Sequence, residues 1–498
     1  MPERVALTVR RALLFIAGSE ALYLFAAFCA ESVLEMDPLM WHREAIDMLT
    51  SLFVVPWGPA LCLLALERRT RMERSGIRAD LAVLFGLLVW IVVPFALRFG
   101  LTFNTAYSWY NHLVLFFGVY ALVTQADTPR LDQAIDWAAA LFAGLSFALG
   151  IPTLRAAMLG SAVGVQLNGY GLGLDGSNFL SFGLHYNITG MIAVCCALFS
   201  LAGFCRRKNP VAKLFHLAAF ALMALCVVLS QSRTSRYALL LAGFAGCYGL
   251  ASTRLPIQRA LTRNAAALCC SLVLLFSGYA GARALTNAAL SHYARVQALT
   301  LAQADDAAEA LAGADALDDA DGEDDADEQY AEGEESDADA QDVTVKTSRP
   351  AIDATFSDRT QIWQNLFDLW KREPKRFIIG SGMGNTGNLI VQGTIHEANG
   401  SVAVHNSYLQ FIADYGIIGF ALLCAFLVMQ VPGAIRVLLS QNAHPGDRVF
   451  VMLAASQLLT ALMESQPLGA MSASSLALFF SLAVIRARDA SLRGSMPQ

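Results

Sequence analysis

Residues 187–205 read NITGMIAVCCALFSLAGFC and contain no charged side chain. An α-helix of about this length and apolarity can cross the ~30 Å hydrocarbon core of a bilayer. Similar stretches recur along the whole chain, and none of them alternates in the way that a half-buried strand does. The twelve predicted spans are 13–30, 45–66, 79–99, 108–124, 134–154, 187–205, 214–231, 237–253, 264–283, 411–430, 449–465 and 468–485.

The composition also indicates a membrane protein. Hydrophobic residues make up 56% of the chain and charged residues 15%, whereas soluble domains carry about 25% charged residues. Glu31 and Glu35 follow the first span without a small-residue cleavage site, so we expect that span to remain a helix. We predict an all-α polytopic membrane protein of about twelve transmembrane helices, with a long extracytoplasmic loop between helices 9 and 10 that carries amphipathic helices.

Lys and Arg predict the orientation. If the N-terminus is cytoplasmic, the inner segments hold 21 of the 35 basic residues and the short outer loops hold five. These inner segments are 1–12, 67–78, 125–133, 206–213, 254–263, 431–448 and 486–498. Basic residues favour the cytoplasmic side. We therefore expect a multi-pass protein of the cytoplasmic (inner) membrane with both termini in the cytoplasm.

This topology divides the chain into regions. Transmembrane helices 1–9 occupy 1–283, the extracytoplasmic loop 284–410, transmembrane helices 10–12 411–485, and a cytoplasmic tail 486–498. Within the loop, 303–342 contains 18 acidic residues and no basic one. A segment so polar and like-charged cannot bury a core, so we predict a disordered acidic insert that acts as a spacer. Transient helix and calcium binding remain alternatives.

The second half of the loop has a helical pattern. Aromatic residues recur at near-helical spacing behind the N-cap candidates Ser357 and Asp358, and Pro374 follows. An amphipathic helix over 357–372 is predicted, lying on the membrane or on neighbouring helices. Gly380–Gly384 lacks the Gly-Lys-Ser/Thr of a nucleotide-binding loop and predicts a tight turn, whose N–H groups could face an anion. The sequence shows neither an internal repeat nor a pair of broken mid-membrane helices.

Two arginines on the predicted outer side are candidates for anion binding. Arg233 lies among hydroxyls in Ser230-Gln231-Ser232-Arg233-Thr234-Ser235-Arg236, and Arg359 lies at the start of the amphipathic helix. A guanidinium group forms a planar fork of donors that matches phosphate. The alternatives are contact with lipid headgroups, favoured for Arg236, and a surface Asp–Arg pair for Arg359.

His405 stands where the long loop turns into span ten. A helix N-terminus favours the neutral imidazole, which suits a general base; a capping or interfacial histidine is the alternative. Carboxylates inside spans are functional candidates by default, here Glu20, Asp414 and, near an outer end, Glu464. We predict no metal site and no cofactor.

Three segments together resemble the O-antigen ligase/polymerase superfamily of membrane glycosyltransferases. They are Ser230-x-Ser232-Arg233-Thr234; Asp358-Arg359 with Ile362-Trp363 and Gly380-Ser381-Gly382-Met383-Gly384; and His405-Asn406-x-Tyr408-Leu409-Gln410 through Asp414-x-Gly416-Ile417-Ile418-Gly419. The segments occur in this order and on one predicted side of the membrane. The acidic insert is not part of the family pattern.

The resemblance implies a metal-independent, inverting glycosyltransferase or ligase that acts at the outer face of the membrane. The donor would be a glycan on undecaprenyl diphosphate in the lipid bilayer, the acceptor a glycan, lipid or protein, and no nucleic acid would take part. Arg233 and Arg359 would bind the diphosphate, and His405 would activate the acceptor hydroxyl. The resemblance further implies substrate contacts at Arg236, Asn406, Tyr408, Gln410 and Asn187.

Two other classes of protein remain open from the sequence. A transporter or flippase for polysaccharides or lipid-linked sugars also often has twelve spans, but its binding residues gather near the bilayer midplane. A non-catalytic surface sensor is the third possibility. The clustering of candidate residues on the predicted outer side favours the enzyme.

Overall fold

The computed structural model of the chain is predominantly helical. It describes residues 78–98, 109–159, 163–167, 170–175, 178–180, 186–230, 232–255, 261–273, most of 275–295, 352–382, 404–464, 468 and 472–494. The predicted spans 13–30 and 45–66, the acidic insert 303–342 and Glu20 lie outside these residues.

Twelve helices and three strands are named here in chain order. The helices are α1 Ala79–Arg98, α2 Trp109–Thr124, α3 Thr128–Leu159, α4 Tyr186–Arg206, α5 Pro210–Leu229, α6 Arg233–Arg254, α7 Leu261–Leu285, α8 Ile352–Arg372, α9 Pro374–Ile379, α10 Ser407–Leu439, α11 Pro445–Thr460 and α12 Ala473–Gly494. The strands are β1 Val163–Leu167, β2 Tyr170–Asp175 and β3 Asn178–Leu180. Within α2, Val114–Ala121 is π-helical.

Five helices are long and apolar enough to cross a membrane. They contain the stretches Thr128–Ile151, Asn187–Arg206, Pro210–Leu229, Leu261–Leu285 and Ser407–Leu439, and two shorter apolar helices cover Ala79–Pro94 and Trp109–Thr124. The prediction of apolar helices suited to a membrane is confirmed. The count of twelve spans stays a prediction.

A small antiparallel sheet is the departure from the all-α prediction. The strands pair in the order β1-β2-β3 in a glycine-rich segment between α3 and α4. In the sequence, Asn168-Gly169 separates β1 from β2 and Gly176-Ser177 separates β2 from β3. Dipeptides of this kind favour two-residue hairpin turns. They are the sequence signal for these strands, and a prediction based on apolar runs does not use it.

The core of the bundle forms around α4. Its side chains from Ala193 to Phe199 are almost fully buried and belong to one apolar cluster with residues of α1, α2, α5 and α10 to α12. Phe199 stacks on Phe142 of α3 with ring centroids 4.1 Å apart. A helix that is apolar on all sides is typical of the centre of a bundle. The cysteines Cys195 and Cys196 are buried here as free thiols.

One end of the bundle holds a network of ion pairs. Arg206 at the end of α4 pairs with Asp136 at 3.2 Å and Asp447 at 3.1 Å, and Arg488 of α12 pairs with Asp447 at 3.0 Å. Asp132 contacts both arginines. These charges come from α3, α4, α11 and α12, so the network fixes those helix ends to one another.

Helix α10 is broken near its start. Gly416 has φ 71° and ψ 175°, which interrupts the helical hydrogen bonds. The freed carbonyls receive donors from elsewhere: Ser381 N donates to Ala413 O at 2.8 Å, and Gly382 N donates to Asp414 O at 2.9 Å. A backbone group left unpaired in an apolar environment costs several kcal/mol, so these donors make the break tolerable.

Candidate active site

The short segment Val404–Asn406 leads into α10 and is held by α8. Trp363 of α8 donates its indole N–H to Val404 O at 2.9 Å. Asn406 is the N-cap of α10, and its side-chain oxygen accepts from the backbone N–H groups of Tyr408 and Leu409. These anchors define the position of His405, the residue between them.

The buried face of α8 contains some of its aromatic side chains and leaves others exposed. Ile362, Leu366 and Trp370 pack in a cluster against Val404 and the first turns of α10, at the i, i+4, i+8 spacing of one helix stripe. Phe367 is 42% exposed and lies outside this stripe. Helix α8 therefore lies over the entry to α10 and carries Arg359 to the same place.

A single carboxylate lies between Arg359 and His405. Arg359 Nη1 donates to Met463 O at 3.0 Å, and its Nη2 lies 3.5 Å from Glu464 Oε1. His405 Nδ1 lies 4.0 Å from the other oxygen, Oε2. Glu464 is almost buried, with its side chain 8% exposed, whereas the His405 side chain is 39% exposed. The structure thus brings Arg359 and His405 together around an acid that sequence reasoning did not include in the site.

The turn that carries Glu464 is fixed to the start of α10 by its backbone. Ser407 N donates to Ala461 O at 2.8 Å, and Ser407 Oγ donates to Glu464 O at 2.6 Å. Tyr408 OH donates to Leu458 O at 2.8 Å. The end of α11 and the turn after it are therefore bonded to Ser407 and Tyr408, the first two residues of α10. The available sequence signal for Glu464 was an acid near the end of an apolar span.

Arg233 lies at the same end of the bundle as Glu464. Gly190 of α4 lies against Ser235 of α6, and Gly446 at the start of α11 lies against Arg206 at the end of α4. Helices α6 and α11 therefore begin at opposite ends of the bundle. Since α11 runs away from Gly446, Glu464 lies at the end where α6 begins.

The hydroxyls around Arg233 serve the packing of α6. Ser232 is the N-cap and accepts from Ser235 N, while Ser230 Oγ donates to Val227 O at 2.9 Å. Ser230 and Ser235 are buried against Gly190. Arg233 itself is exposed. The hydroxyl side chains thus cap and pack the start of α6, and the guanidinium group of Arg233 is exposed there.

The remaining predicted substrate contacts are held within the protein. Asn406 caps α10, Tyr408 OH is bonded to the backbone, and Gln410 joins Val404 N to the carboxylate of Asp414. Asn187 is buried near the start of α4, and Arg236 is partly buried in the first turn of α6. The structure gives the first three a role in shaping the entry to α10; contact with a substrate stays a prediction for all five.

The structure corrects the interpretation that the N–H groups of the glycine-rich turn could face an anion. The N–H groups of Ser381 and Gly382 donate to carbonyls of the broken helix, so they are not directed at an anion. Gly380 has φ 96°, and a Cβ added there would lie 2.3 Å from Asp414 O. This glycine-rich turn therefore supports the broken start of α10.

Comparison with known families gives one match. Residues 218–424 match the protein-family model described as O-Antigen ligase. This range contains Arg233, Arg359 and His405 and ends before Glu464. No curated protein matches the chain. The resemblance predicted from the three motifs is confirmed.

Proposed function

We propose, from the membership of this chain in the O-antigen ligase superfamily, that it transfers a glycan from undecaprenyl diphosphate to an acceptor at the outer face of the cytoplasmic membrane. The family implies a glycosyltransferase or ligase-type enzyme that uses a lipid-linked glycan in a membrane context. The observation that carries the proposal is the convergence of Arg359 and His405 around Glu464, at the end of the bundle where Arg233 is exposed.

The arginines supply the charge that the donor requires. When the bond between the sugar and the diphosphate breaks, negative charge grows on the leaving phosphate. Arg359 and Arg233 present guanidinium forks, which bind phosphate oxygens and favour this charge. Arg359 lies on α8 and Arg233 on α6, so each approaches from a different element. Donor recognition through phosphate would leave the sugar composition free to vary.

His405 supplies the base. The acceptor hydroxyl attacks the anomeric carbon, its proton passes to the imidazole, and the diphosphate leaves with the electron pair of the broken C–O bond. A single displacement of this kind inverts the configuration at the anomeric carbon. General-base catalysis of this type contributes roughly 10²- to 10⁴-fold to a rate. The acceptor is either another lipid-linked repeat, as in a polymerase, or a lipid, glycan or protein, as in a ligase.

Single substitutions test the assignment. Arg359→Ala and Arg233→Ala should abolish detectable glycan transfer while the protein still accumulates in the membrane, because losing one charge-stabilising donor costs about 3–4 kcal/mol in the barrier. Arg493→Ala is the matched control. Arg493 pairs with Asp489 at the opposite end of the bundle, so transfer should persist. Product at wild-type levels from either site variant would reject the proposal.

Reconstitution separates transfer from transport, and deletion separates the two kinds of acceptor. Purified protein in liposomes should convert lipid-linked donor to product without moving the donor between leaflets; movement without product would indicate a transporter. In cells that lack the protein, single repeats on lipid indicate a polymerase, and free long chains on lipid indicate a ligase.

A further inference from the structure

We propose that Glu464 is a positioning residue for His405, holding the imidazole so that Nδ1 carries the hydrogen and Nε2 accepts the proton of the acceptor hydroxyl. The inference rests on the proposed function and assigns a role to a residue outside the matched range 218–424. Its basis is that Glu464 Oε2 is the oxygen nearer to His405 Nδ1, at 4.0 Å.

The environment of the two ring nitrogens differs. Nδ1 is buried and has no hydrogen-bond partner among the residues that the structure describes. The His405 side chain as a whole is 39% exposed. A neutral imidazole donates from one nitrogen and accepts at the other. With a carboxylate on the buried side, the hydrogen belongs on Nδ1, and the lone pair of Nε2 is left for the substrate.

The backbone restricts the imidazole before any substrate binds. His405 has φ 53°, the left-handed region that residues other than glycine seldom occupy. Val404 O and the Asn406 side chain are both bonded on either side of it. Because the backbone of His405 is fixed, only its side-chain torsions are free. A hydrogen bond from Nδ1 to the Glu464 carboxylate would favour one orientation of the ring.

Glu464 is shared between its two neighbours, Arg359 and His405. The 3.5 Å to Arg359 Nη2 and the 4.0 Å to His405 Nδ1 both exceed the usual 2.7–2.9 Å of a charge-assisted hydrogen bond. When Arg359 turns to the diphosphate, the carboxylate is released to close on His405. Catalytic hydrogen bonds commonly tighten in this way only in the complex with substrate. The base is therefore oriented when the donor is in place.

The side chain of Glu464 can be changed without removing the anchors of its turn. Ser407 Oγ bonds to the Glu464 carbonyl, and Glu464 N donates to Thr460 O at 3.0 Å. Both are backbone contacts of Glu464. Glu464→Gln keeps the size of the side chain and the turn, and removes the charge alone.

The experiment measures kcat and the donor KM of purified wild type, Glu464→Gln and Glu464→Asp in liposomes with a polyprenyl-diphosphate-linked glycan. We expect Glu464→Gln to lower kcat roughly 10- to 100-fold, below the roughly 10²- to 10⁴-fold that a general base supplies, with the donor KM changed less than about threefold. Glu464→Asp should recover part of kcat, because it restores the charge. Asp489→Asn is the control, a buried carboxylate paired with Arg436 at the other end, and its kcat per folded molecule should match wild type.

Each outcome has a distinct meaning. A normal kcat in Glu464→Gln overturns the inference. A change in donor KM without a change in kcat also overturns it, because it would show that Glu464 only holds Arg359. An equal fall of kcat in Glu464→Gln and Asp489→Asn overturns it as well, because it would show a general effect on folding. If wild type itself makes no product from the donor, the proposed function fails, and that result is separate from any difference between the variants.

Discussion

His405 combines an unusual backbone conformation with a position beside a buried acid. A non-glycine residue in the left-handed region costs about 1–3 kcal/mol, and such strain is commonly found at functional sites. Histidine and asparagine tolerate this region better than most residues. His405 can therefore have two roles: its residue type tolerates the backbone conformation at φ 53°, and its imidazole can act as the base.

Replacing His405 by Asn distinguishes those roles. His405→Asn keeps a residue type that tolerates positive φ and removes the base, so we expect the apparent melting temperature in detergent to stay close to wild type. Glycan transfer should fall by roughly 10²- to 10⁴-fold. Thermal unfolding and a turnover assay on the same preparation measure both. Normal turnover by the folded variant would show that His405 is a structural residue.

Part of the site could be predicted at the residue scale. Arg359 and His405 were indicated because each occurs in a polar motif on the predicted outer side of the membrane. Glu464 was noted only as an acid near an apolar end, because the hydrogen bonds from Ser407 to Ala461 and Glu464 that join this turn to the start of α10 are long-range contacts. No local pattern encodes such a contact.

At the scale of elements, the site depends on the break in α10. A Cβ added to Gly416 would lie 2.2 Å from Ile378 O, and the φ of 71° is unfavourable for any other L-residue. Trp90 of α1 donates to Tyr415 O at 2.7 Å. The first turns of α10 are therefore fixed by α1 and by the segment after α9, not by the rest of their own helix.

Alanine substitutions at two glycines test this dependence. Gly416→Ala should destabilise the protein by roughly 2–4 kcal/mol, because it adds backbone strain to a steric overlap with a carbonyl. Gly144→Ala in α3 is the control: nothing lies within 4 Å of its added Cβ, and alanine is the better helix former. Detergent melting curves should show a clear fall for the first variant and no fall for the second. Equal melting temperatures would mean that the break is not required.

The elements themselves could be predicted to different extents. Long apolar runs identified helices such as α4 and α5, because an uninterrupted apolar stretch of about 20 residues is a strong helix signal by itself. The break at Gly416 was missed, since a glycine within an apolar run has no partner visible in the sequence. The same holds for Gly380-Ser381-Gly382, where the turn was predicted but its hydrogen-bond acceptors on α10 were not.

The molecule as a whole has two polar ends with different chemistry. One end holds Arg359, Glu464 and His405, with 3.5 Å between Arg359 Nη2 and Glu464 Oε1 and 4.0 Å between Glu464 Oε2 and His405 Nδ1. The other holds the closely paired network around Arg206, where burial also lowers the pKa of His444. Tight ion pairs suit a fixed end, and longer polar contacts suit an end that would rearrange around a substrate. The second end is formed by segments that the positive-inside pattern assigns to the cytoplasm.

Protease access tests the predicted orientation and the spacer role of the acidic insert together. A cleavage site placed within 303–342 should be cut by protease added outside spheroplasts, whereas a tag after Gln498 should be protected, because the predicted topology puts the insert in the long outer loop and the basic C-terminal tail in the cytoplasm. The cut protein should retain glycan transfer if the insert is only a spacer. Cleavage of the tag without cleavage of the insert would show that the orientation is the opposite of the predicted one.

The hydrogen bonds across the break also constrain how the chain is made. Ser381 and Gly382 leave the ribosome before Ala413 and Asp414, whose carbonyls they satisfy. The two donors are therefore already synthesised when α10 forms, and the carbonyls of Ala413 and Asp414 stay open until the segment after α9 packs against them. Docking of the segment after α9 and completion of the backbone hydrogen bonds at the break in α10 are thus one event in the folding of the chain.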